Sequence, residues 1–222
     1  MALLDSENQI VAKRICEQGI RGETMHEILD ELFLETQSAP SDLAAICIGT
    51  GPGSFTGIRV GVAMAQGLAF AKRLPLYPFS SLQAMILSAK AGLGSASQAG
   101  SASSSNGDSS VISAISASGG RYFISSWILD KVEEKLCTLN ELVEYGSEAK
   151  YLIVSGKIPD RPLFEKSFPH IFRMEEKIDF STITKFALSQ DPILDGILRP
   201  NYLQASAAEE KKLQSPLLDK NP

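Results

Sequence analysis

The sequence predicts an α/β protein made of two related halves. Three observations carry this. Short apolar runs bounded by turn residues alternate with segments whose apolar residues recur at helical spacing. One stretch, 94–110, is dominated by serine, glycine and alanine and divides the chain. The alternation on its far side resembles the one before it, as expected of a duplicated α/β unit.

The elements follow in order. Ala2 to Leu4 reads as a strand end, Asp5-Ser6-Glu7-Asn8 as a turn and Gln9 to Ile15 as the returning strand, giving a hairpin. Thr24 and Glu27 have capping-box spacing at the head of a helix. Met25, Ile28, Leu29, Leu32 and Phe33 form its apolar face, while Glu27, Asp30, Glu31 and Glu35 fill much of the remainder. Leu43 to Ile48 is a buried-strand pattern ending at Gly49. After the glycine-rich segment 49–57, a small-residue helix runs from Gly57 to Lys72 and stops before Pro75. Leu74 to Phe79 reads as a strand and Ser80 to Lys90 as a helix.

Beyond the serine-rich segment, Val111 to Ser116 and Tyr122 to Leu129 read as strands around the Gly119-Gly120 turn, with Trp127 in the core. Asn140 to Tyr145 is expected to be helical, Tyr151 to Val154 a strand, Ile183 to Leu188 helical, and Ala205 to Leu213 a solvated helix. Glu133-Glu134 reads as a solvated turn. The expected organisation is an N-terminal lobe over 1–93, a linker over 94–110, a C-terminal lobe over 111–205 and a tail over 206–222. The linker cannot bury enough apolar surface to offset its ordering entropy.

Bulk composition narrows the function. The 222 residues are 44% hydrophobic and 21% charged, ordinary for a globular protein, and the net charge is −5. An acidic chain is poorly suited to gripping nucleic acid alone, because phosphate contacts need a positive surface. Cys16, Cys47 and Cys137 are far apart with no CxxC pair, which fits a reducing cytoplasm and excludes zinc-knuckle readings. Met1 to Ser6 lacks a basic stretch followed by a long apolar run, so no signal peptide is expected, and no apolar stretch is long enough to predict a membrane span.

The sharpest local feature is the loop Gly49-Thr50-Gly51-Pro52-Gly53-Ser54-Phe55-Thr56-Gly57, between a predicted strand and a helix N-terminus, where backbone N–H groups can collect an anion. It is neither a Walker A loop nor a dinucleotide fingerprint: there is no Gly-Lys-Ser/Thr ending, and Pro52 removes a donor. The helix that follows carries Gly57, Gly61, Ala65 and Leu68 on one face, widened by Ala63, Gly67 and Ala71. Each glycine inside a helix costs about 1 kcal/mol relative to alanine, so close approach to another helix is the expected compensation. That helix belongs either to this chain or to another subunit.

The run Gly51-Pro52-Gly53-Ser54-Phe55-Thr56-Gly57-Ile58-Arg59-Val60-Gly61 closely resembles the hallmark of the TsaB (YeaZ) family. The helix Glu23 to Leu34, the turn Gly120-Arg121-Tyr122-Phe123 and Pro200-Asn201-Tyr202-Leu203 agree with the family pattern in order. The resemblance implies an actin/Hsp70-like (ASKHA) fold of duplicated α/β lobes. It implies a non-catalytic scaffold that pairs with TsaD, the catalytic paralogue, and works with the ATPase TsaE. The complex transfers threonylcarbamoyl to the adenosine beside the tRNA anticodon, so tRNA is met only through the complex. The same helices can serve a homodimer. No cofactor of the chain's own is implied, although ATP or ADP has a place at the partner interface.

Carried onto this chain, the resemblance makes Met25, Ile28, Leu29, Leu32, Gly57, Gly61, Met64, Ala65 and Leu68 the partner-binding residues. On that expectation Gly61→Arg abolishes association with TsaD. Ser81 and Met85 stand where TsaD-type relatives carry the Asn-His-x-x-x-His metal pair, and neither replaces imidazole. The only histidines, His26 and His170, are expected at surface or helix-end positions. An enzyme of the same fold, phosphotransferase or peptidase, is the alternative. The family's opening strand, of the type Ile-Leu-x-Ile-Asp-Thr-Ser, does not appear before the hairpin, so an incomplete first lobe is expected.

Overall fold

A computed structural model describes residues 1–15, 22–96, 111–128, 131–146, 149, 151–155, 166–168, 170–173, 178–194 and 197–201. The elements are β1 (Ala2–Leu4), β2 (Ile10–Lys13), α1 (Gly22–Glu35), β3 (Ile46–Gly49), α2 (Phe55–Lys72), β4 (Leu76–Phe79), α3 (Ser81–Ala96), β5 (Val111–Ser116), β6 (Arg121–Ile128), β7 (Lys131–Thr138), α4 (Leu139–Gly146), β8 (Tyr151–Ser155), β9 (His170–Arg173) and α5 (Phe180–Leu188). Most of segment 94–110, Cys16, Tyr202-Leu203, the Ala205–Leu213 helix and the side chain of Trp127 lie outside the described residues.

The second half forms one sheet of five strands in the order β7-β6-β5-β8-β9. β5 is its centre, antiparallel to β6 and parallel to β8. Its residues alternate between two cores, as a strand's period of two requires. Ile112 and Ala114 join Leu142 and Phe168 on the α4 side, while Val111 packs with Met85, Ile86 and Ile153 on the α3 side.

The first half runs hairpin, helix, strand, helix, strand and helix, with α2 between β3 and β4. β1 pairs β2 antiparallel, and β3 pairs β4 parallel. Among the described residues no strand corresponds to β5, so these remain two separate two-stranded sheets. The consequence shows in burial: every residue of β1 and β3 is half-buried, whereas the inner residues of β8 are buried.

Helices α3 and α5 pack on each other between the halves, α3 against β5, β6 and β8, and α5 against β3 and β4. α5 is anchored at both sides. The Asp179 N–H donates to Ser88 Oγ (3.1 Å), and Ser181 Oγ donates to the Asn8 carbonyl in the hairpin turn (2.7 Å). The chain then returns to the first half. Ile193 bridges Leu76, and Leu198 joins the core under α2 with Val62, Ala65, Ala69 and Leu76. Ile193 and Leu198, assigned by sequence to the C-terminal lobe, therefore pack on the N-terminal one.

Several sequence expectations need correction. α1 begins at Gly22, ahead of the Thr24 start, and α2 at Phe55, ahead of Gly57. α3 extends six residues past Lys90, into the segment read as linker. Glu133-Glu134 lies within β7, whose eight residues pair in full register with β6. His170 opens strand β9 and not a helix end, and the exposure of its side chain lies outside the described residues. Among the described residues no helix is long and apolar enough to cross a membrane.

Thr138 and Glu141 cap α4 reciprocally. The Thr138 N–H and Oγ donate to Glu141 Oε2 (2.7 and 2.8 Å), and the Glu141 N–H donates to Thr138 Oγ (3.4 Å). These bonds hold the Glu141 carboxyl below its ordinary pKa. A lowered folded-state pKa stabilises above the unfolded value, and that contribution disappears as pH falls through the folded one. Acid titration of thermal stability should therefore be shallower in Glu141→Gln than in the parent; identical titration curves would contradict the assignment.

Candidate partner-docking surface and glycine loop

The loop after β3 is a joint between three segments. Thr50 is buried, and its N–H and Oγ both donate to the Phe79 carbonyl at the end of β4 (2.9 and 3.2 Å). The Thr50 carbonyl accepts from the Asn201 N–H, and the Gly51 carbonyl from the Ser81 N–H, each at 2.8 Å. Gly51 has φ +104° and precedes a cis peptide to Pro52. A Cβ at Gly51 would lie 2.8 Å from Ile58 Cδ1 and 3.1 Å from the Asn201 carbonyl oxygen. Glycine is required there by both conformation and space.

Gly51 and Pro52 are buried, Gly53 and Phe55 half-buried, and Ser54 and Thr56 exposed. Ser54 caps α2, accepting the Gly57 N–H at 3.3 Å. Phe55 lies beneath the Arg59 guanidinium, 3.8 Å from the ring centroid. The Thr50 and Gly57 amides are thus committed to internal bonds, and Pro52 has none. The loop's observed work is to set the position of α2. Gly51→Ala is expected to destabilise the chain by about 1–3 kcal/mol, the range for a non-glycine residue held in a disfavoured conformation. Chemical denaturation measures it, and a midpoint equal to the parent's would refute the constraint.

α2 has two faces with different neighbours. Its inner face carries Gly61, Val62, Ala65 and Ala69, all buried, with Val62, Ala65 and Ala69 packed among Ile46, Ile48 and Leu76. A Cβ on Gly61 would meet Ile48 Cδ1 at 3.7 Å and Met25 Cε at 3.9 Å, so this glycine sits where β3 and α1 approach the helix. On α1, Ile28 and Leu32 pack with Ala12 and Leu3, and Leu29 is also buried. Ile28, Leu29, Leu32, Gly61 and Ala65 are therefore core residues of this chain. Their presumed partner face points inward, and Gly61→Arg would disrupt the fold before it tested any partner. Met25, Gly57, Met64 and Leu68 are half-buried.

The outward face of α2 carries Thr56, Arg59, Ala63, Gly67 and Phe70, all exposed. Phe70 is 90% exposed, and a Cβ on Gly67 would meet nothing within 4 Å. On α1 the exposed residues are His26, Glu27, Asp30, Glu31, Leu34 and Glu35, with Leu34 78% exposed. Helical periodicity identifies residues that share a face but not which face turns inward. Small and apolar residues occur on both faces of α2, so its sequence could not separate the two.

Met85 is buried in the α3-side core with Val111 and Ile153, and Ser81 is engaged with the glycine loop. No group of three or more His, Cys, Asp or Glu residues that could hold a metal occurs among the described residues. Burial pushes the thiols of Cys47 and Cys137 up to about 11, Cys137 aided by the Glu141 charge. Neither is a thiolate near neutrality. Alkylation of both at pH 8 should stay slow in the folded chain and accelerate on denaturation; rapid labelling of either in the native state would contradict this.

A sequence profile for the family described as TsaD, tRNA N6-adenosine threonylcarbamoyltransferase, matches residues 22–191, well over half of the chain. The chain belongs to this family. Within it, the TsaB resemblance is upheld by the curated relatives. The tRNA threonylcarbamoyladenosine biosynthesis protein TsaB of Haemophilus influenzae is 47% identical over 58 residues, 26% of this chain and 25% of that protein. Those of Escherichia coli and Bacillus subtilis are each 38% identical, over 58 and 61 residues. The match thus spans about a quarter of the length of these relatives. Two solved structures from Pseudomonas aeruginosa share the fold. One, described as similar to peptidase YEAZ, has a TM-score of 0.56 at 20% identity over 82% of this chain and 83% of its own. The other, YeaZ, has a TM-score of 0.54 at 19% identity over 82% and 84%. The actin-like α/β fold class expected from sequence is the one observed.

Proposed function

We propose that the chain is a scaffold subunit of a tRNA threonylcarbamoyladenosine synthase. In this reading it binds a TsaD-type catalytic protein through the outer faces of α1 and α2. That pairing supports the partner's transfer of threonylcarbamoyl to the adenosine next to the anticodon, in the cytoplasm and with a TsaE-type ATPase. The chain's own contribution is binding and not catalysis: tRNA is reached through the complex, and ATP or ADP belongs at the partner interface.

The observation that carries the proposal is the outward face of α2. Ala63 and Gly67 allow a second helix to approach its backbone closely, and Phe70 offers a large apolar anchor one turn on. The TsaB names of the curated relatives support the pathway. The burial of Met85, where TsaD-type relatives place a metal ligand, supports a non-catalytic role.

Gly67→Arg separates docking from folding, because position 67 is open and arginine is a better helix former than glycine by roughly 0.8 kcal/mol. Gly67→Arg should melt at or slightly above the parent temperature and Phe70→Asp near it, and both should lose co-elution with the TsaD-type protein. Gly61→Arg should fail to fold. If Gly67→Arg and Phe70→Asp pair as the parent does, the docking surface is wrong.

A further inference from the structure

Glu134 lies on β7, in the second sheet, yet both of its carboxylate oxygens are bonded to the first half. Ser80 Oγ donates to Oε1, and Asn201 Nδ2 donates to Oε2 at 3.0 Å. Ser80 Oγ also accepts the Leu82 and Gln83 N–H groups (3.2 and 3.4 Å), capping α3. Asn201 donates its backbone N–H to Thr50, and the Ser81 N–H bonds to Gly51. One carboxylate thereby holds both segments that grip the glycine loop, and Ser54 of that loop caps α2.

The surroundings of Glu134 make this arrangement directional. Its cross-strand partner is Ser125, which pairs in turn with Ser113, so the three residues form a row across the sheet. The Ser113 and Ser125 hydroxyls are buried without hydrogen-bond partners. A carboxylate beside such a desolvated row is held most favourably by donors on its open side, where Ser80 and Asn201 stand.

We propose that Glu134 is a positioning residue for the outer face of α2: it fixes the glycine loop through Ser80 and Asn201 and so sets the orientation in which α2 meets a partner. The loop-fixing step stands on the isolated chain, whereas its effect on a partner rests on the docking reading above. A merely local role for Glu134 would stabilise β7 and leave the loop unchanged.

Amide hydrogen exchange on the whole chain tests the proposal, using Glu134→Ala, Asn201→Ala, their double variant and the conservative Glu134→Gln. In Glu134→Ala the amides of Ser81 and Asn201 should exchange about tenfold faster, as for loss of one net charge-assisted hydrogen bond. The Ile112, Ile124 and Ile153 amides should be unchanged. Adding Asn201→Ala should add little, because both variants break one linkage. Glu134→Gln should lie between parent and Glu134→Ala. Affinity for the TsaD-type protein should fall in Glu134→Ala while its melting temperature stays near the parent's. Unchanged exchange at Ser81 and Asn201, additive effects, or a uniform acceleration that includes Ile112 and Ile153 would overturn the loop-fixing step. Faster exchange with undiminished affinity would overturn its extension to the partner. If Gly67→Arg alone leaves pairing intact while the exchange pattern holds, the docking surface fails and the loop-fixing role of Glu134 stands.

Discussion

α2 lies against Ile48 of β3 and Met25 of α1 at Gly61, where an added Cβ would make ordinary van der Waals contact with both, and much of the first half is arranged around that approach. Burial of Val62, Ala65 and Ala69 beside it closes the core under the helix, and Leu198 from the end of the described chain completes it. Each such side chain is worth only about 1–3 kcal/mol in area removed from water, but they act on one rigid element. With its inner face and its N-terminal cap both fixed, α2 presents Ala63, Gly67 and Phe70 outward as a defined surface.

The same packing explains how the first half holds together with a sheet divided in two. No described strand joins β1 to β3, so backbone pairing does not link the hairpin to the parallel pair. The linkage comes instead from helices and side chains. Ile28 and Leu32 of α1 cover the hairpin, α1 touches α2, and the Arg14 guanidinium after β2 reaches Glu35 on α1 at 2.7 Å. That exposed ion pair adds little by itself. α5 adds a second tie, through Ser181 to the hairpin turn. The halves of the chain are thus interleaved: α3 leaves the first half to cover the second sheet, and Ile193 and Leu198 return to the core under α2.

Sequence patterning revealed those parts whose period was unambiguous. The apolar face of α1 was legible because its apolar and polar residues separate at a period of 3.6, the hairpin because the Asp5–Asn8 turn cluster divides two short strands, and β5 because it is a short apolar run bounded by serine- and glycine-rich segments. β7 was not, because Lys131, Glu133, Glu134 and Lys135 crowd an edge strand with charges, and charged edges look like turns. The role of Glu134 was hidden for the same reason: its partners are 54 and 67 residues away and carry no local signal. The glycine loop was recognised at once, and its spacing left open an anion cradle or a tight turn that positions a helix; the Thr50 amide is engaged with Phe79 and the Gly57 amide with Ser54. Of the residues singled out on α1 and α2, Ile28, Leu29, Leu32, Gly61 and Ala65 are buried within this chain. Small residues surround α2, and only the tertiary contacts of Gly61 and Ala65 show which of them are spent on the chain's own core.

The central claim is that this chain acts by binding a catalytic relative. The most direct measurement is threonylcarbamoyladenosine formation on tRNA by the TsaD-type protein and its ATPase, with and without this chain. The account predicts that modification depends on added chain, saturates at a fixed ratio to the TsaD-type protein, and is absent when the chain is supplied alone. Modification that proceeds equally without it, or turnover by the chain alone, would contradict the account.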